Sequence, residues 1–170
     1  MSNKKNAPLR FNFGFLLEGN LGEKREYILD YPSVTIDDVT LRPLQGTVTA
    51  SRNSRGIYIE GQLRSTIVTE CSRCLMPITL PVTIELSDLF YYPPTTAPEG
   101  EYTIPATGFL DLSPLVREMG LLAIPIQPIC KPDCLGFCME CGQNLNEGDC
   151  HCEEETLDPR LSALSKLLDN

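Results

Sequence analysis

The sequence lacks several features on which common functions depend. It contains no run of about 18 apolar residues, so no membrane-spanning helix is predicted. The first ten residues lack the apolar stretch of a secretory signal, so we expect a cytoplasmic protein. The chain has a single histidine, His151, and neither a glycine-rich phosphate loop nor a nucleophile elbow. We therefore assign no catalytic residue and expect a protein that is not an enzyme.

Positive charge is also scarce. The chain has 14 Lys and Arg residues against 23 Asp and Glu residues, and its formal net charge is -9. A protein that coats nucleic acid by neutralising phosphates needs a basic surface, so this composition argues against that mode of binding. The charge is uneven, with a net +2 on residues 1–75 and a net -11 on residues 76–170. A local basic patch on the first half therefore stays open.

Cysteine, in contrast, is abundant and confined to two parts of the chain. Cys71 and Cys74 form a Cys-Ser-Arg-Cys motif, and the other six cysteines lie between residues 130 and 152. Thiols of a cytoplasmic protein are kept reduced, so metal ligation explains eight cysteines better than disulfides do. Zinc is the expected metal because it binds four thiolates tetrahedrally.

The spacing favours two zinc sites of four cysteines each. Cys138-Met-Glu-Cys141-Gly142 has the form of a zinc-ribbon knuckle, in which Gly142 permits a tight turn after the second ligand. The first predicted site comprises Cys71, Cys74, Cys130 and Cys134, and the second comprises Cys138, Cys141, Cys150 and Cys152. Both sites are expected to be structural, since four thiolates leave no open position for water.

Other groupings of these ligands stay open. Four of the six clustered cysteines could bind one ion and leave two thiols free. Cys71 and Cys74 could form a pair without metal, and His151 could replace a neighbouring cysteine as ligand.

The apolar pattern predicts an α+β fold. Residues 11–15, 25–31, 44–50, 57–68 and 78–86 have the alternation or β-branched content of strands, and we expect an antiparallel sheet or a partly closed barrel over residues 9–92. Residues 11–15 and 25–31 are expected to form a first hairpin or pair of strands. Cys71 and Cys74 are expected in the turn between two later strands.

A helix is predicted over residues 112–123 and is expected to pack on the sheet. Ser113 is its expected N-cap and Pro114 its first residue, while Leu115, Met119 and Leu122 are expected on its core face. Three parts follow: a mainly β domain at 9–127, a cysteine-rich zinc module at 128–153, and a C-terminal helix at 154–170. That last helix has leucines along one side and could dock on its own domain or on a partner.

These motifs resemble one known family. Cys71-Ser-Arg-Cys-Leu, Leu110-Asp-Leu, the cysteine run from Cys130 to Cys152, and Asp158-Pro-Arg-Leu are similar to the bacterial and plastid YceD family, a resemblance that covers about residues 10–168. Members are named large ribosomal RNA subunit accumulation proteins. The resemblance implies a binding factor that promotes 23S rRNA accumulation or assembly of the large ribosomal subunit.

The expected partner is a large-subunit ribosomal protein or precursor particle, with 23S rRNA as a further partner and neither a membrane nor a small-molecule substrate. Phosphate contacts are assigned to Arg52, Arg55, Arg64 and Arg73. Alternatively, Arg52 and Arg55 are turn residues, and Arg64 and Arg73 pair with nearby carboxylates. The acidic second half suits a basic ribosomal protein better than RNA.

A different class of function also stays open. The chain could be a cytoplasmic zinc or thiol-redox sensor that affects ribosomes only indirectly. Reversible oxidation of Cys71 and Cys74 is expected in that case.

Overall fold

The computed structural model describes residues 9–152. Its strands are β1 (Arg10–Asn12), β2 (Lys24–Tyr31), β3 (Val34–Ile36), β4 (Val39–Leu41), β5 (Leu44–Asn53), β6 (Gly56–Glu70), β7 (Pro77–Tyr91) and β8 (Phe109–Asp111). Its helices are α1 (Gly14–Glu18) and α2 (Ser113–Leu122), and Pro94–Thr96 forms one 3-10 turn. The helix expected at 154–170 lies outside the described residues. Of the described helices, neither is long and apolar enough to cross a membrane.

An antiparallel sheet dominates the fold, as the sequence predicted. Four strands are ordered β2-β5-β6-β7, and β3 with β4 and β1 with β8 form two small antiparallel pairs. Within residues 9–152, β2 and β7 are edge strands that do not pair with each other. The structure therefore shows an antiparallel sheet with two edges, and a barrel is not shown.

The longest pairing in the sheet joins β6 and β7, and it determines where the first cysteine pair lies. The two strands pair from Gly56 opposite Tyr91 to Glu70 opposite Pro77. Alternate residues of β6 point into the core, where Ile57, Ile59, Leu63 and Ile67 are buried. Cys71 and Cys74 occupy the turn between the two strands, which confirms that prediction.

Helix α2 packs on the inner face of this sheet. Leu115 and Val116 are buried, and a Cβ on Gly120 would lie 3.4 Å from Cδ1 of Ile84, so the helix approaches the sheet closely at that glycine. Leu122 does not belong to the core face: it is the last residue of the helix, beyond the close approach at Gly120, and it is 72% exposed.

The expected start of α2 also needs correction. The N-cap position is Leu112, and no side chain caps the helix from that position. Ser113 is the first helical residue instead, and its N–H donates to the Asp111 carboxylate at 2.9 Å. Because Asp111 accepts this bond from outside the helix, Ser113 does not act as the N-cap.

The prediction of a first hairpin was wrong. β1 ends at Asn12 and pairs with β8, far along the chain, while β2 pairs with β5. The Asn12 side chain accepts a hydrogen bond from the N–H of Gly14 at 2.9 Å, where the short helix α1 begins. The alternation of phenylalanines was misleading because Phe11 and Phe13 both pack on Tyr27 despite this change of backbone direction.

Candidate metal centres

The structure brings Cys71, Cys74, Cys130 and Cys134 together, and their Sγ atoms all lie within 4.8 Å of one another. The Sγ atoms of Cys71 and Cys134 are 3.9 Å apart, and those of Cys74 and Cys130 are 3.8 Å apart. Zn–S bonds of about 2.3 Å in a tetrahedron separate the sulfurs by about 3.8 Å. We call this group the first centre; its spacing fits a tetrahedral ion of that size.

Hydrogen bonds join the two halves of the first centre. The N–H of Ser72 donates to the Pro128 carbonyl at 2.7 Å, and the Arg73 guanidinium donates to the Cys134 carbonyl at 3.0 Å. The N–H of Cys130 donates to Sγ of Cys71 at 3.3 Å. These bonds tie the tip of the β6–β7 hairpin to the segment that follows α2.

The second centre consists of Cys138, Cys141, Cys150 and Cys152, whose Sγ atoms also lie within 4.8 Å of one another. The N–H of Gly142 donates to the Cys138 carbonyl at 2.9 Å, and Gly142 has a φ of 74°. This left-handed conformation favours glycine, as expected for a zinc-ribbon knuckle. The Gln143 side chain holds the returning chain by donating to the carbonyls of Gly148 and Asp149, both at 3.3 Å.

Asn146 connects the two centres, and the sequence analysis missed it. Its side chain accepts a hydrogen bond from the N–H of Leu135 at 3.0 Å and donates to Sγ of Cys134 at 3.4 Å. Asn146 lies on the loop of the second centre but supports a sulfur of the first. Its position midway between Cys141 and Cys150 was the only signal in the sequence, and it does not identify the sulfur that the amide contacts.

In each Cys-x-x-Cys knuckle, hydrogen bonds stabilise the thiolate form of the first cysteine over its thiol form. The backbone of Cys74 contributes most to lowering the pKa of Cys71 to about 6, and the backbone of Cys141 contributes most to lowering the pKa of Cys138 to about 6. Neighbouring cysteines of the same centre can instead raise a pKa. Cys134 is the main cause that raises the pKa of Cys130 to about 12.

The same crowding acts in the second centre, where Cys141 is the main cause that raises the pKa of Cys152 to about 12. Four thiols held this close ionise together only beside a compensating cation. The donor set, the spacing and the electrostatics therefore all suit a divalent metal that prefers sulfur ligands.

The alternative groupings receive no support from this geometry. Each centre uses four different cysteines, so the described residues leave no thiol outside a centre. His151 is exposed and does not belong to either group. Cys71, Cys74 and Cys134 are buried, whereas Cys130 and Cys141 are exposed.

The four arginines assigned to phosphate contacts lie in different surroundings. Arg52 donates to the Gly56 carbonyl at 2.9 Å and thereby supports the β5–β6 turn, and Arg73 contacts Cys134 as described. Arg55 is exposed, with its guanidinium carbon 5.8 Å from the centre of the Tyr91 ring. Arg64 is exposed on the outer face of β6. The structure therefore gives Arg52 and Arg73 structural contacts and does not gather the four into one patch.

The fold and these centres define a class: a protein with an antiparallel β-sheet domain and two tetracysteine centres, the first of which joins a hairpin tip to a C-terminal cysteine-rich segment. The chain belongs to the YceD family, described as "Large ribosomal RNA subunit accumulation protein YceD", whose model matches residues 59–168. This match confirms the resemblance seen in the sequence.

The relatives of the chain include one whose name is that of the family. The chain is 35% identical over 120 residues to an uncharacterized protein of Mycobacterium bovis, a match that covers 68% of this chain and 57% of the relative. It is 26% identical to the "Large ribosomal RNA subunit accumulation protein YCED homolog 1, chloroplastic" of Arabidopsis thaliana, over 82% of this chain and 51% of the relative. It is 28% identical to the uncharacterized protein YlbN of Bacillus subtilis, over 75% of this chain and 76% of the relative.

The chain thus spans a little over half the length of the mycobacterial relatives that it matches. No solved structure gives a significant match to it. The family membership and the name of the Arabidopsis relative support a role related to the ribosome.

Proposed function

We propose that this protein is a non-enzymatic factor that promotes 23S rRNA accumulation and assembly of the large ribosomal subunit. The observation that carries the proposal is the family match over residues 59–168, together with a plant relative named for large ribosomal RNA subunit accumulation. The factor acts by binding a large-subunit ribosomal protein, 23S rRNA or both, on a precursor particle in the cytoplasm.

Two structural zinc ions hold the binding surface in shape. Sγ separations of 3.8 and 3.9 Å in the first centre support zinc, because tetrahedral Zn–S geometry gives about the same separation. Four thiolates around each ion leave no position for a reactive water, so the zinc supplies folding energy and not catalysis. Cys71, Cys74, Cys130 and Cys134 hold one ion, and Cys138, Cys141, Cys150 and Cys152 hold the other.

A comparison of ribosomal RNA in cells with and without the protein tests the proposal. Cells that lack it are expected to show a lower ratio of 23S to 16S rRNA, and sucrose gradients are expected to show fewer large subunits and more large-subunit precursors. Wild-type protein restores the ratio, whereas Cys74→Ser and Cys141→Ser proteins restore it less. A normal ratio and a normal gradient in cells lacking the protein would contradict the proposed function.

The exposure of Cys130 and Cys141 favours a second candidate, a zinc or thiol-redox sensor. When these two cysteines ligate zinc as thiolates, their exposure opens them to oxidants. A sensor releases zinc on exposure to low hydrogen peroxide, recovers it on reduction, and does not sediment with large-subunit precursors. Association with precursors that weakens as salt rises, with zinc retained under the same peroxide, favours the assembly factor instead.

A further inference from the structure

A groove lies on the outer side of the sheet, where the β3–β4 pair lies beside Thr66 and Val68 of β6. Its volume is about 480 Å³, and it is lined by Asp38, Thr40, Arg42, Thr66, Val68 and Thr79. β5 pairs with β6 only as far as Arg64, so β4 and the residue after it lie beside the next part of β6. The groove therefore forms where β4 takes the place of β5 as the strand beside β6.

Arg42 is fixed at the wall of this groove. Its N–H donates to the Thr66 carbonyl at 3.3 Å, and the Thr66 hydroxyl donates back to the Arg42 carbonyl. Nε of Arg42 donates to the Ser33 hydroxyl at 3.0 Å. Across residues 9–152, no hydrogen bond or ion pair engages the two terminal nitrogens of this guanidinium. The backbone and Nε are thus held while the outer edge of the guanidinium remains available.

The one carboxylate in the groove lining is already compensated. Nε and the terminal nitrogen Nη2 of Arg117 lie 2.7 and 2.6 Å from Oδ1 of Asp38. With Asp38 paired to Arg117, the guanidinium of Arg42 carries the one charge of the groove lining that no ion pair compensates among the described residues. This local charge is opposite in sign to that of the whole chain, which is -9.

We propose that this groove binds a phosphate group of an RNA backbone, with Arg42 as the main contact. A guanidinium with two free terminal nitrogens suits two phosphate oxygens, and the exposed Thr79 hydroxyl can donate a further hydrogen bond. Val68, in the groove lining, is 69% exposed and offers an apolar contact to a ribose or base. The inference rests on the proposed function and assigns its RNA contact to Arg42 in place of Arg52 and Arg73.

The neighbouring strand position extends the same surface. Arg64 is exposed two residues before Thr66 on the same face of β6, which corresponds to about 7 Å along a strand. No described residue forms an ion pair or hydrogen bond with its side chain. Arg64 therefore adds a second exposed guanidinium on the face of β6 that carries Thr66 of the groove lining.

Fluorescence anisotropy with a short labelled RNA of mixed sequence tests the groove, using the zinc-loaded full chain. Arg42→Gln is expected to raise Kd about tenfold and to lower the slope of log Kd against log salt by about one. Arg42→Lys keeps the charge and is expected to retain the salt slope with a smaller loss of affinity. Thr79→Val is expected to weaken binding a few-fold without loss of fold, because its hydroxyl has no partner among the described residues.

Arg25→Gln is the matched control, since it removes the same charge from an exposed position on edge strand β2. Melting curves and zinc content show whether each variant is folded. Equal RNA affinity for Arg42→Gln and Arg25→Gln overturns the groove proposal, and so does a wild-type chain that does not bind the RNA. Inorganic phosphate is added as a competitor of the labelled RNA. If it displaces that RNA as well as unlabelled RNA does at equal phosphate concentration, the groove proposal is also overturned, because the site would then recognise free phosphate.

The ratio of 23S to 16S rRNA separates this outcome from failure of the proposed function. If cells need the protein for normal 23S rRNA but Arg42→Gln binds RNA as well as Arg25→Gln does, only the groove is wrong. If cells lacking the protein have normal 23S rRNA, the proposed function fails whatever the anisotropy shows.

Discussion

The side-chain amide of Asn146 donates to Sγ of Cys134 at 3.4 Å, so the loop of the second centre supports a ligand of the first. Hydrogen bonds to a ligating sulfur stabilise its thiolate and fix its direction. Loss of Asn146 is therefore expected to affect the first centre, although Asn146 lies on the loop of the second.

Asn146→Ala is therefore expected to weaken zinc binding at the first centre by about 10- to 100-fold. Zinc release to a chromogenic chelator measures this, with native mass spectrometry to count the ions that remain. Asn20→Ala is the control, because Asn20 is exposed and its side chain has no hydrogen bond among the described residues. If both variants release zinc as slowly as wild type, the hydrogen bond to Cys134 does not support the site.

Arg73 offers a test of a structural role against a role in binding RNA. Its guanidinium donates to the Cys134 carbonyl at 3.0 Å, and a hydrogen bond from a charged group at an exposed position contributes about 1 kcal/mol. Arg73→Gln is expected to lower the free energy of unfolding by about that amount, measured by urea denaturation with zinc present.

Arg64→Gln removes the same charge from an exposed side chain without a partner and is expected to leave stability within about 0.5 kcal/mol of wild type. Equal stability of the two variants would show that the contact of Arg73 with Cys134 contributes nothing measurable.

The long strands and the cysteine pairs were predictable because their signals are local. Alternation over residues 57–68 and 78–86 identified β6 and β7, and the short turn between them placed Cys71 and Cys74 at a hairpin tip. The two groups of four also agree with the grouping chosen from spacing, because a Cys-x-x-Cys turn brings its own two sulfurs together.

Features that depend on distant pairing could not be predicted in the same way. β1 pairs with β8 about a hundred residues later, and nothing near Phe11 or Phe13 in the sequence indicates this partner. The position of Arg42 beside Thr66 likewise depends on β4 lying next to β6, which no local pattern in the sequence indicates. Arg52 and Arg73 were assigned to phosphate contacts from their places on the hairpin and the knuckle, but their guanidinium groups donate to the carbonyls of Gly56 and Cys134.

Two leucines on α2 test how the helix packs. Leu115 is 1% exposed, and Leu115→Ala is expected to destabilise the protein by about 2–5 kcal/mol because it leaves a cavity between helix and sheet. Leu122 is 72% exposed, and Leu122→Ala is expected to change the free energy of unfolding by less than about 0.5 kcal/mol. Urea denaturation of both variants measures the difference, and similar losses would mean that Leu122 is also covered in the folded protein.

The last prediction concerns the metal content of the two centres. Because each centre has its own four cysteines, purified wild-type protein is expected to carry two zinc ions, and Cys74→Ser and Cys141→Ser are each expected to lose one. Cys141→Ser is expected to leave the sheet domain folded while the segment around Cys138 to Cys152 loses protection from hydrogen exchange, since zinc binding supplies folding energy there. Native mass spectrometry under reducing conditions counts the ions, and Met139→Ser, at an 85% exposed position inside the same knuckle, is the control that should retain both. A Cys141→Ser protein that keeps two ions and full protection would refute the assignment of Cys141 as a structural ligand.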